Sequence, residues 1–266
     1  MTLEDILQAM NGFLADNPLN IAAELNSLQL FSPPLGAVAE ADDPLFDRLK
    51  ESDVVGPNHM SPGEWQAGSK SVVSYFLPFT ATVRKANRSL GLPSIEWLYG
   101  RIEGERLNQA LEKFLVEYFT AAGYRAVAPT ADPRFRVVDR KSNWSERHVA
   151  FVAGLGTFSL SRSLITRAGS AGRLGSVIVD ADLKATARYY SDPEENCIKC
   201  GACIPRCPPQ AITESGKDNA ICGDYLDRVK LRYAPRYGCG NCQTAVPCEE
   251  RIPPKRPLPS ALAHSV

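Results

Sequence analysis

Cysteine is the residue type whose placement in this chain most clearly predicts chemistry. The 266-residue sequence contains eight cysteines, and all of them follow residue 196. Half of them form a run with the spacing C-x2-C-x2-C-x3-C-P, at Cys197, Cys200, Cys203, Cys207 and Pro208. This is the bacterial ligand pattern for [4Fe–4S] clusters, because thiolates two residues apart can wrap one loop around a compact cluster. The run therefore predicts an iron–sulfur site.

The remaining four cysteines can complete the ligands of a second cluster. In two-cluster proteins the fourth cysteine of such a run binds the other cluster. We therefore expect one cluster to take Cys197, Cys200, Cys203 and Cys248, and the other to take Cys207, Cys222, Cys239 and Cys242. Structural zinc and disulfides are the rival interpretations. Zinc sites use pairs of ligands at matched spacing, and a four-cysteine run ending in Cys-Pro is not that pattern.

The charge balance and the N-terminus bear on the class of protein. The chain carries 30 Lys and Arg against 30 Asp and Glu, so it has no surplus of cations and gives no strong nucleic-acid signal. Its start, MTLEDILQAM, lacks the basic and apolar regions of a secretory signal, and no apolar run approaches the roughly 18–20 residues of a membrane span. We therefore expect a cytoplasmic protein without a membrane segment. In a reducing compartment, clustered cysteines favour metal binding over disulfides.

Hydrophobic patterning predicts alternating helices and strands before the cysteines. Helical patterns cover 2–14, 94–123 and 145–156, and strand patterns cover 71–79, 124–129, 174–180 and 185–190. Gly100 and Gly104 weaken the long second helix, and the proline-rich stretch 16–70 predicts loops and short helices. The alternation favours an α/β or α+β layered domain over 1–190. A cysteine-rich domain over 191–253 and a Pro-rich tail over 254–266 follow.

A second site is expected before the cysteines, because a long region precedes them. The segment 139–176 mixes Arg, Ser, His and Gly. Glycines allow a ligand to approach the backbone closely, and arginines bind phosphate or carboxylate groups. Helix caps, turns and solvated charges account for the same residues one at a time, so the composition alone leaves both interpretations open.

The chain resembles a known family at three places: SERHVAFVAGLGTFSLSRSLIT, LGSVIVD, and the cysteine run followed by CGNC. Over about 70–266 it is similar to the epoxyqueuosine reductases and the related reductive dehalogenases. The resemblance implies a nitroreductase-like domain that binds cobalamin, followed by a ferredoxin-like domain with two [4Fe–4S] clusters. It places the corrinoid pocket around Ser145, Arg147, His148, Gly154, Gly156, Thr157, Gly172 and Gly175.

The same comparison suggests proton donors and shows departures from the family pattern. The candidate donors are Asp139, His148 and Tyr99. The family has a catalytic Asp in a DSAP-like stretch before the Glu-Arg pair, whereas DRKSNWSER puts Arg140 at that offset and Asp139 one residue away. The last cysteines read CGNCQTAVPCEE rather than the shorter family form, and no helical-repeat tail follows. We therefore expect a substrate, either a small molecule or a modified nucleoside, that has diverged from that of the family.

The predicted function is an iron–sulfur oxidoreductase. Electrons from reduced ferredoxin or flavodoxin would pass through two [4Fe–4S] clusters to a corrinoid in the first domain. Two alternatives stay open. The chain could instead carry electrons to a partner protein without a reaction of its own, or its pocket could hold FMN.

Overall fold

The computed structural model describes residues 1–255, so the predicted tail at 254–266 falls almost wholly outside the described residues. The described α-helices are α1 Leu3–Ala15, α2 Leu45–Arg48, α3 Pro62–Trp65, α4 Ala81–Ala86, α5 Ile95–Ala121, α6 Glu146–Val152 and α7 Asn219–Tyr233. The strands are β1 Ile21–Ala22, β2 Leu28–Gln29, β3 Leu35–Glu40, β4 Ser71–Pro78, β5 Ala126–Val127, β6 Val137–Val138, β7 Lys141–Ser142, β8 Gly156–Phe158, β9 Leu164–Thr166, β10 Gly172–Val179, β11 Ile212–Thr213 and β12 Gly216–Lys217.

A four-stranded antiparallel sheet forms the centre of the molecule, in the order β3-β4-β10-β5. Every residue of β4 is buried, because helices cover both faces of the sheet. Helices α1 and α5 pack on the face that carries Val73 and Tyr75, and α6 packs on the face that carries Val72 and Ile178. The predicted α/β layered fold is confirmed.

Helix α5 runs unbroken through Gly100 and Gly104, where the sequence suggested a break. Both glycines lie against aromatic rings. A Cβ at Gly104 would stand 2.7 Å from Cζ of Phe31, and one at Gly100 would stand 2.8 Å from Cε1 of Phe79. The two glycines therefore permit close packing of α5, and this packing compensates for their low helix propensity.

Three local predictions differ from the structure. The strand predicted at 185–190 is wrong: Thr186 donates its N–H to Val38 O (2.9 Å), but its Oγ1 accepts the N–H of Val38 (3.0 Å). A side-chain oxygen replaces the backbone carbonyl there, so no ladder continues. The stretch 16–70, expected to lack strands, supplies edge strand β3. The strand predicted over 124–129 shrinks to β5.

The cysteine-rich segment lies against the layered region through specific polar contacts. The side-chain amide of Asn87 donates to Cys239 O (2.9 Å), and the backbone carbonyl of Asn87 accepts from the Thr244 hydroxyl (2.8 Å). Ser170 N–H donates to Cys248 O (2.9 Å). These contacts fix the backbone on both sides of the last three cysteines. Over residues 1–255, no helix combines the length and apolar character that crossing a bilayer requires.

Candidate iron–sulfur centre and adjoining cavity

The eight cysteines form no disulfide and lie in two neighbourhoods. Burial, with contributions from the thiolates of Cys197, Cys203 and Cys200, raises the pKa of Cys248 to about 12. Burial also raises the pKa of Cys239 to about 12, with contributions from Cys242, Cys222 and Cys207. The charges that act on Cys248 and on Cys239 come from the other members of the set to which the spacing assigns each of them, and the division into two clusters stays a prediction.

The two neighbourhoods are themselves adjacent. Burial raises the pKa of Cys203 to about 11, and the strongest charge acting on it is that of Cys242 from the other set. Over residues 1–255, no three His, Cys, Asp or Glu side chains are grouped as one metal ion would need. A [4Fe–4S] cluster instead spreads its four thiolates around four irons.

The loop that carries the first cysteines is shaped by left-handed backbone. Lys199 and Gly201 have φ values of 48° and 71°. Successive turns follow, in which Ile204 N–H donates to Gly201 O (2.9 Å) and Cys207 N–H donates to Ile204 O (3.1 Å). The N–H of Ala211 then points at Cys207 Sγ at 3.2 Å. Hydrogen bonds to a ligand sulfur of this kind raise the reduction potential of a cluster.

Helix α7 carries Cys222 in its first turn. The predicted helical patterns do not include this helix. Asp218 caps it by accepting from the N–H groups of Ala220 (2.8 Å) and Ile221 (3.0 Å). An Asp cap was therefore the available signal, but the frequent cysteines, glycines and prolines nearby masked it. The positive end of the helix dipole lies beside Cys222, which favours a thiolate or an anionic cluster there.

A cavity of about 360 Å³ separates the second set of thiols from the layered region. Cys207, Cys222, Cys239 and Cys242 line one side of it. The other side is formed by aromatic, apolar and cationic side chains, including Trp97, Leu164, Arg101, Arg147 and Arg173. A ligand in this cavity, which we call the cysteine cavity, would therefore lie against both regions of the chain.

Arg147, one of these arginines, places positive charge close to the thiols. The Arg147 side chain is accessible from the cavity, but protein atoms surround it on its other sides. Desolvation therefore lowers the pKa of Arg147, and the thiolates of Cys242 and Cys222 act in the opposite direction. Its Nη1 donates to Arg162 O at 2.7 Å. Arg173 is half-buried and pairs with Glu105, and its Nε has no hydrogen-bond partner among the described residues. The cavity wall thus carries guanidinium groups that could donate hydrogen bonds to a polar or anionic ligand.

Arg147 and Gly172 are the two predicted pocket residues that line the cysteine cavity. The other glycines have packing reasons. A Cβ would collide with the Ile165 carbonyl at Gly156 and with the Tyr75 ring at Gly175, and Gly154 ends α6 with a φ of 95°. Thr157 is buried and accepts the N–H of Asn196 at 2.8 Å.

The three predicted proton donors lie apart. Tyr99 is covered by Arg236, whose Cζ is 3.8 Å from the ring centroid. His148 Nδ1 lies 2.7 Å from Ser145 Oγ, and burial lowers its pKa to about 3, so the ring is neutral at pH 7. Asp139 stands at the turn of the β6–β7 hairpin and lines a different cavity.

That second cavity, of about 450 Å³, lies between the loop 52–60 and the β6–β7 hairpin, and we call it the hairpin cavity. His59, Arg136, Asp139 and Lys141 contribute to its wall. The neighbouring Arg140 leaves the hairpin and pairs with α7, at 2.8 Å from Asp224 and 3.2 Å from Asp227. The hairpin therefore connects this cavity to the helix that carries Cys222.

Comparisons with known proteins support the iron–sulfur assignment. The 4Fe-4S binding domain family matches residues 192–213. The epoxyqueuosine reductase of Aliivibrio fischeri is 38% identical over 115 residues, which cover 38% of this chain and 30% of the relative. That of Cellulophaga algicola is 28% identical over 196 residues, which cover 67% of this chain and 58% of the relative.

Solved structures show the same fold. A selenomethionine-labelled epoxyqueuosine reductase superimposes with a TM-score of 0.54 and 19% identity, over 92% of this chain and 64% of that one. A catabolic reductive dehalogenase in complex with 3-bromo-4-hydroxybenzoic acid gives a TM-score of 0.54 and 14% identity, over 82% and 30% of the two chains. The chain spans less than two thirds of the length of these relatives.

The fold and the cysteine site define a mixed α/β protein with a C-terminal, ferredoxin-like 4Fe–4S binding region. The chain is a relative of the epoxyqueuosine reductases and shares its fold with the reductive dehalogenases, so the predicted resemblance is confirmed.

Proposed function

We propose that this chain is an iron–sulfur reductase that passes electrons through two [4Fe–4S] clusters to an organic redox cofactor in the cysteine cavity. One observation carries the proposal: all four cysteines of the second set line the same cavity as Trp97, Arg101, Arg147 and Arg173. A cofactor held there would adjoin the cluster with no intervening layer of protein. Electron transfer across so short a gap needs no further carrier.

The cluster ligands in this proposal are the two sets of four cysteines described above. Their thiols resist ionisation without metal, because burial raises the pKa of Cys239 and Cys248 to about 12. A bound metal deprotonates a coordinating thiol outright, so cluster assembly would supply the missing stabilisation. The cysteine-rich region 191–253 is the proposed cluster domain, and 1–190 the proposed cofactor domain.

Cobalamin is the cofactor we propose, since a solved relative of the same fold is described by its B12-dependent dehalogenation (TM-score 0.50, 13% identity, 72% of this chain and 27% of that one). The cavity lining suits a large amphiphilic group. Trp97, Leu164 and other apolar side chains can cover a ring, while Arg101, Arg147 and Arg173 can donate hydrogen bonds to polar substituents. A bound corrinoid would supply a strong reductant for the substrate.

The chain's own residues would position and balance these groups. Arg147 lines the same cavity as Cys222 and Cys242 and interacts with the charge of both thiolates, so its own charge would offset the negative charge of the second cluster. The neutral His148 holds Ser145 at the start of α6 and thereby fixes the helix that carries Arg147. Asp139, at the turn of the β6–β7 hairpin, lines the hairpin cavity and not the cysteine cavity, so we assign it no part in proton delivery beside the proposed cofactor.

The proposed substrate follows from the relationship and not from the geometry. The curated relatives are named epoxyqueuosine reductases, so we propose reduction of a modified nucleoside of that type in tRNA. The proposed electron donor is reduced ferredoxin or flavodoxin. The zero net charge of the chain gave no hint of a nucleic-acid substrate.

FMN is a second candidate cofactor, and the size of the cavity favours it. A flavin ring is smaller than a corrin ring, and about 360 Å³ is near the lower end of typical ligand pockets. The arginines that we assign to corrinoid substituents would serve a flavin phosphate equally well.

The two cofactors and the carrier function can be separated by one experiment. The protein, reconstituted anaerobically with iron and sulfide, is mixed with hydroxocobalamin or with FMN, passed through gel filtration, and treated with a reductant. Co-elution of cobalamin with the protein, and its reduction only when clusters are present, supports the proposal. If only FMN co-elutes with the protein, FMN and not cobalamin is the cofactor. If neither compound co-elutes although the clusters are intact, the chain is an electron carrier.

A further inference from the structure

We infer that the hairpin cavity is a binding site for an oxyanion, such as a phosphate or a carboxylate group. The site lies between the loop 52–60 and the β6–β7 hairpin, and it is separate from the cysteine cavity. The inference concerns binding alone and does not depend on the proposed cofactor.

Two cations in the cavity wall lack a carboxylate partner. Over residues 1–255, neither Arg136 nor Lys141 has an Asp or Glu oxygen within 4.0 Å, although most arginines near the hairpin are paired. The only side-chain hydrogen bond of Arg136 within the described part is a long one to Arg134 O (3.4 Å). Both guanidinium and ammonium groups are therefore available to an anion.

Arg136 and Lys141 are exposed, and Asn143 fixes the backbone that carries Arg136. Asn143 Oδ1 accepts the N–H of Arg136 at 3.0 Å, and the Asn143 amide nitrogen donates to Arg134 O at 2.9 Å. Across the cavity, Gly56 has a φ of 127°, and a Cβ there would stand 3.9 Å from Lys141 Nζ. A glycine with this backbone leaves room for the ammonium group against the loop.

His59 supplies a buried donor in the same wall. It is 2% exposed and stacks on Trp144, with ring centroids 5.6 Å apart. Its Nε2 accepts the N–H of Ser145 at 3.2 Å. Burial, with a contribution from Lys50, lowers the pKa of His59 to about 4, so the ring is neutral at pH 7 and its single proton must be on Nδ1.

The Nδ1 atom of His59 is buried and has no hydrogen-bond partner in the part of the chain that the structure describes. A buried N–H without an acceptor destabilises the folded protein, so an acceptor from a ligand would offset that cost. The carboxylate of Asp139 lines the same cavity and would repel a bound anion. Because Arg136 and Lys141 outnumber Asp139, the net charge of the cavity wall is still positive. The Lys50–Glu64 pair beside His59 (2.8 Å) is neutral as a whole.

The test measures anion binding to the cluster-loaded full chain by isothermal titration calorimetry at fixed ionic strength. Inorganic phosphate and acetate are the two probes, since they separate a phosphate site from a carboxylate site. The Arg136→Gln/Lys141→Gln double variant should bind the preferred probe at least about tenfold more weakly. The matched control, Arg106→Gln/Lys184→Gln, removes two exposed cations elsewhere and should bind as the unmodified protein does.

A second variant tests the histidine without removing charge. His59→Gln should weaken binding of the same probe several-fold, and circular dichroism checks that the chain remains folded. Saturable binding of either probe that the double variant loses supports the inference and identifies the anion class. The inference is overturned if neither probe binds, or if the folded double variant and the control bind alike.

Discussion

Arg147 of helix α6 and Cys242 of the cysteine-rich segment face the same cavity, and the thiolate of Cys242 is the strongest charge that raises the pKa of Arg147. Cys222 of α7 acts on Arg147 in the same direction. The Arg147 guanidinium thus interacts electrostatically with two proposed ligand sulfurs of the second cluster. Because net charge sets cluster potentials, this relationship gives the layered region a direct influence on the redox chemistry.

Removing that charge should make the second cluster harder to reduce. We expect Arg147→Gln to lower the reduction potential of one cluster by tens of millivolts and to leave the other nearly unchanged. Potentiometric titration followed by electron paramagnetic resonance measures both potentials. Iron content should not change, because Arg147 is not a ligand.

The control for that experiment is Arg106→Gln, which removes an exposed arginine from α5. It should leave both potentials as they are in the unmodified protein. Equal shifts in the two variants would mean that Arg147 acts only through the overall charge of the protein.

The division of the cysteines into two sets predicts which cluster each substitution removes. Cys248→Ser should abolish the cluster of the first set, and Cys222→Ser the cluster of the second, each leaving about four irons per chain. Only Cys222→Ser should change the absorbance spectrum of a cofactor that stays bound in the cysteine cavity, since Cys222 lines it and Cys248 does not. Loss of the same spectroscopic signal in both variants would disprove this division.

Helix α5 offers a test of the packing. Gly104→Ala should destabilise the protein by about 1–3 kcal/mol, because the new methyl group would press on the Phe31 ring and outweigh the gain in helix propensity. Gly12→Ala in α1 is the matched control, since nothing lies within 4 Å of its Cβ position. It should stabilise by roughly 0.5–1 kcal/mol. Urea unfolding of both variants measures the two effects, and opposite signs are expected.

Glu146 should make stability depend on pH. Burial raises its pKa to about 7, although the nearby Ser176 hydroxyl and Trp144 indole act in the opposite direction. The unfolded chain therefore loses this proton at a lower pH than the folded chain does, so stability falls as pH rises above about 4.5.

Glu146→Gln removes this titration. Relative to the unmodified protein, the variant should gain on the order of 1–3 kcal/mol between about pH 5.5 and about pH 8. Glu4→Gln, at an exposed position, should show no such change. A pH profile parallel to that of the unmodified protein would contradict the assignment.

The cysteine chemistry was predictable from the sequence because ligand spacing in one loop is a local property. The run from Cys197 to Cys207 encodes its own geometry, and Thr2 and Ser94, the first residues of two predicted helical patterns, cap those helices. The layered fold followed from the alternation of helix and strand periods.

The rest depended on contacts between distant segments. Gly156 and Gly175 looked like positions for ligand approach, but each is required by a neighbouring strand or ring. His59 gave no signal, because an isolated histidine in an irregular stretch reveals neither its burial nor its pairing with Ser145. The cysteine cavity was equally invisible, since it exists only where the two regions meet.

The most direct test of the account is electron transfer into the cysteine cavity. Cluster-loaded protein with bound cobalamin is reduced in a stopped-flow instrument, and cluster and cobalt absorbance are followed together. We predict that the cobalt is reduced only after the clusters, and that Cys222→Ser abolishes its reduction while cobalamin remains bound. Cobalt reduction at the same rate in that variant, or failure of the cluster-loaded protein to retain cobalamin, would contradict the central claim.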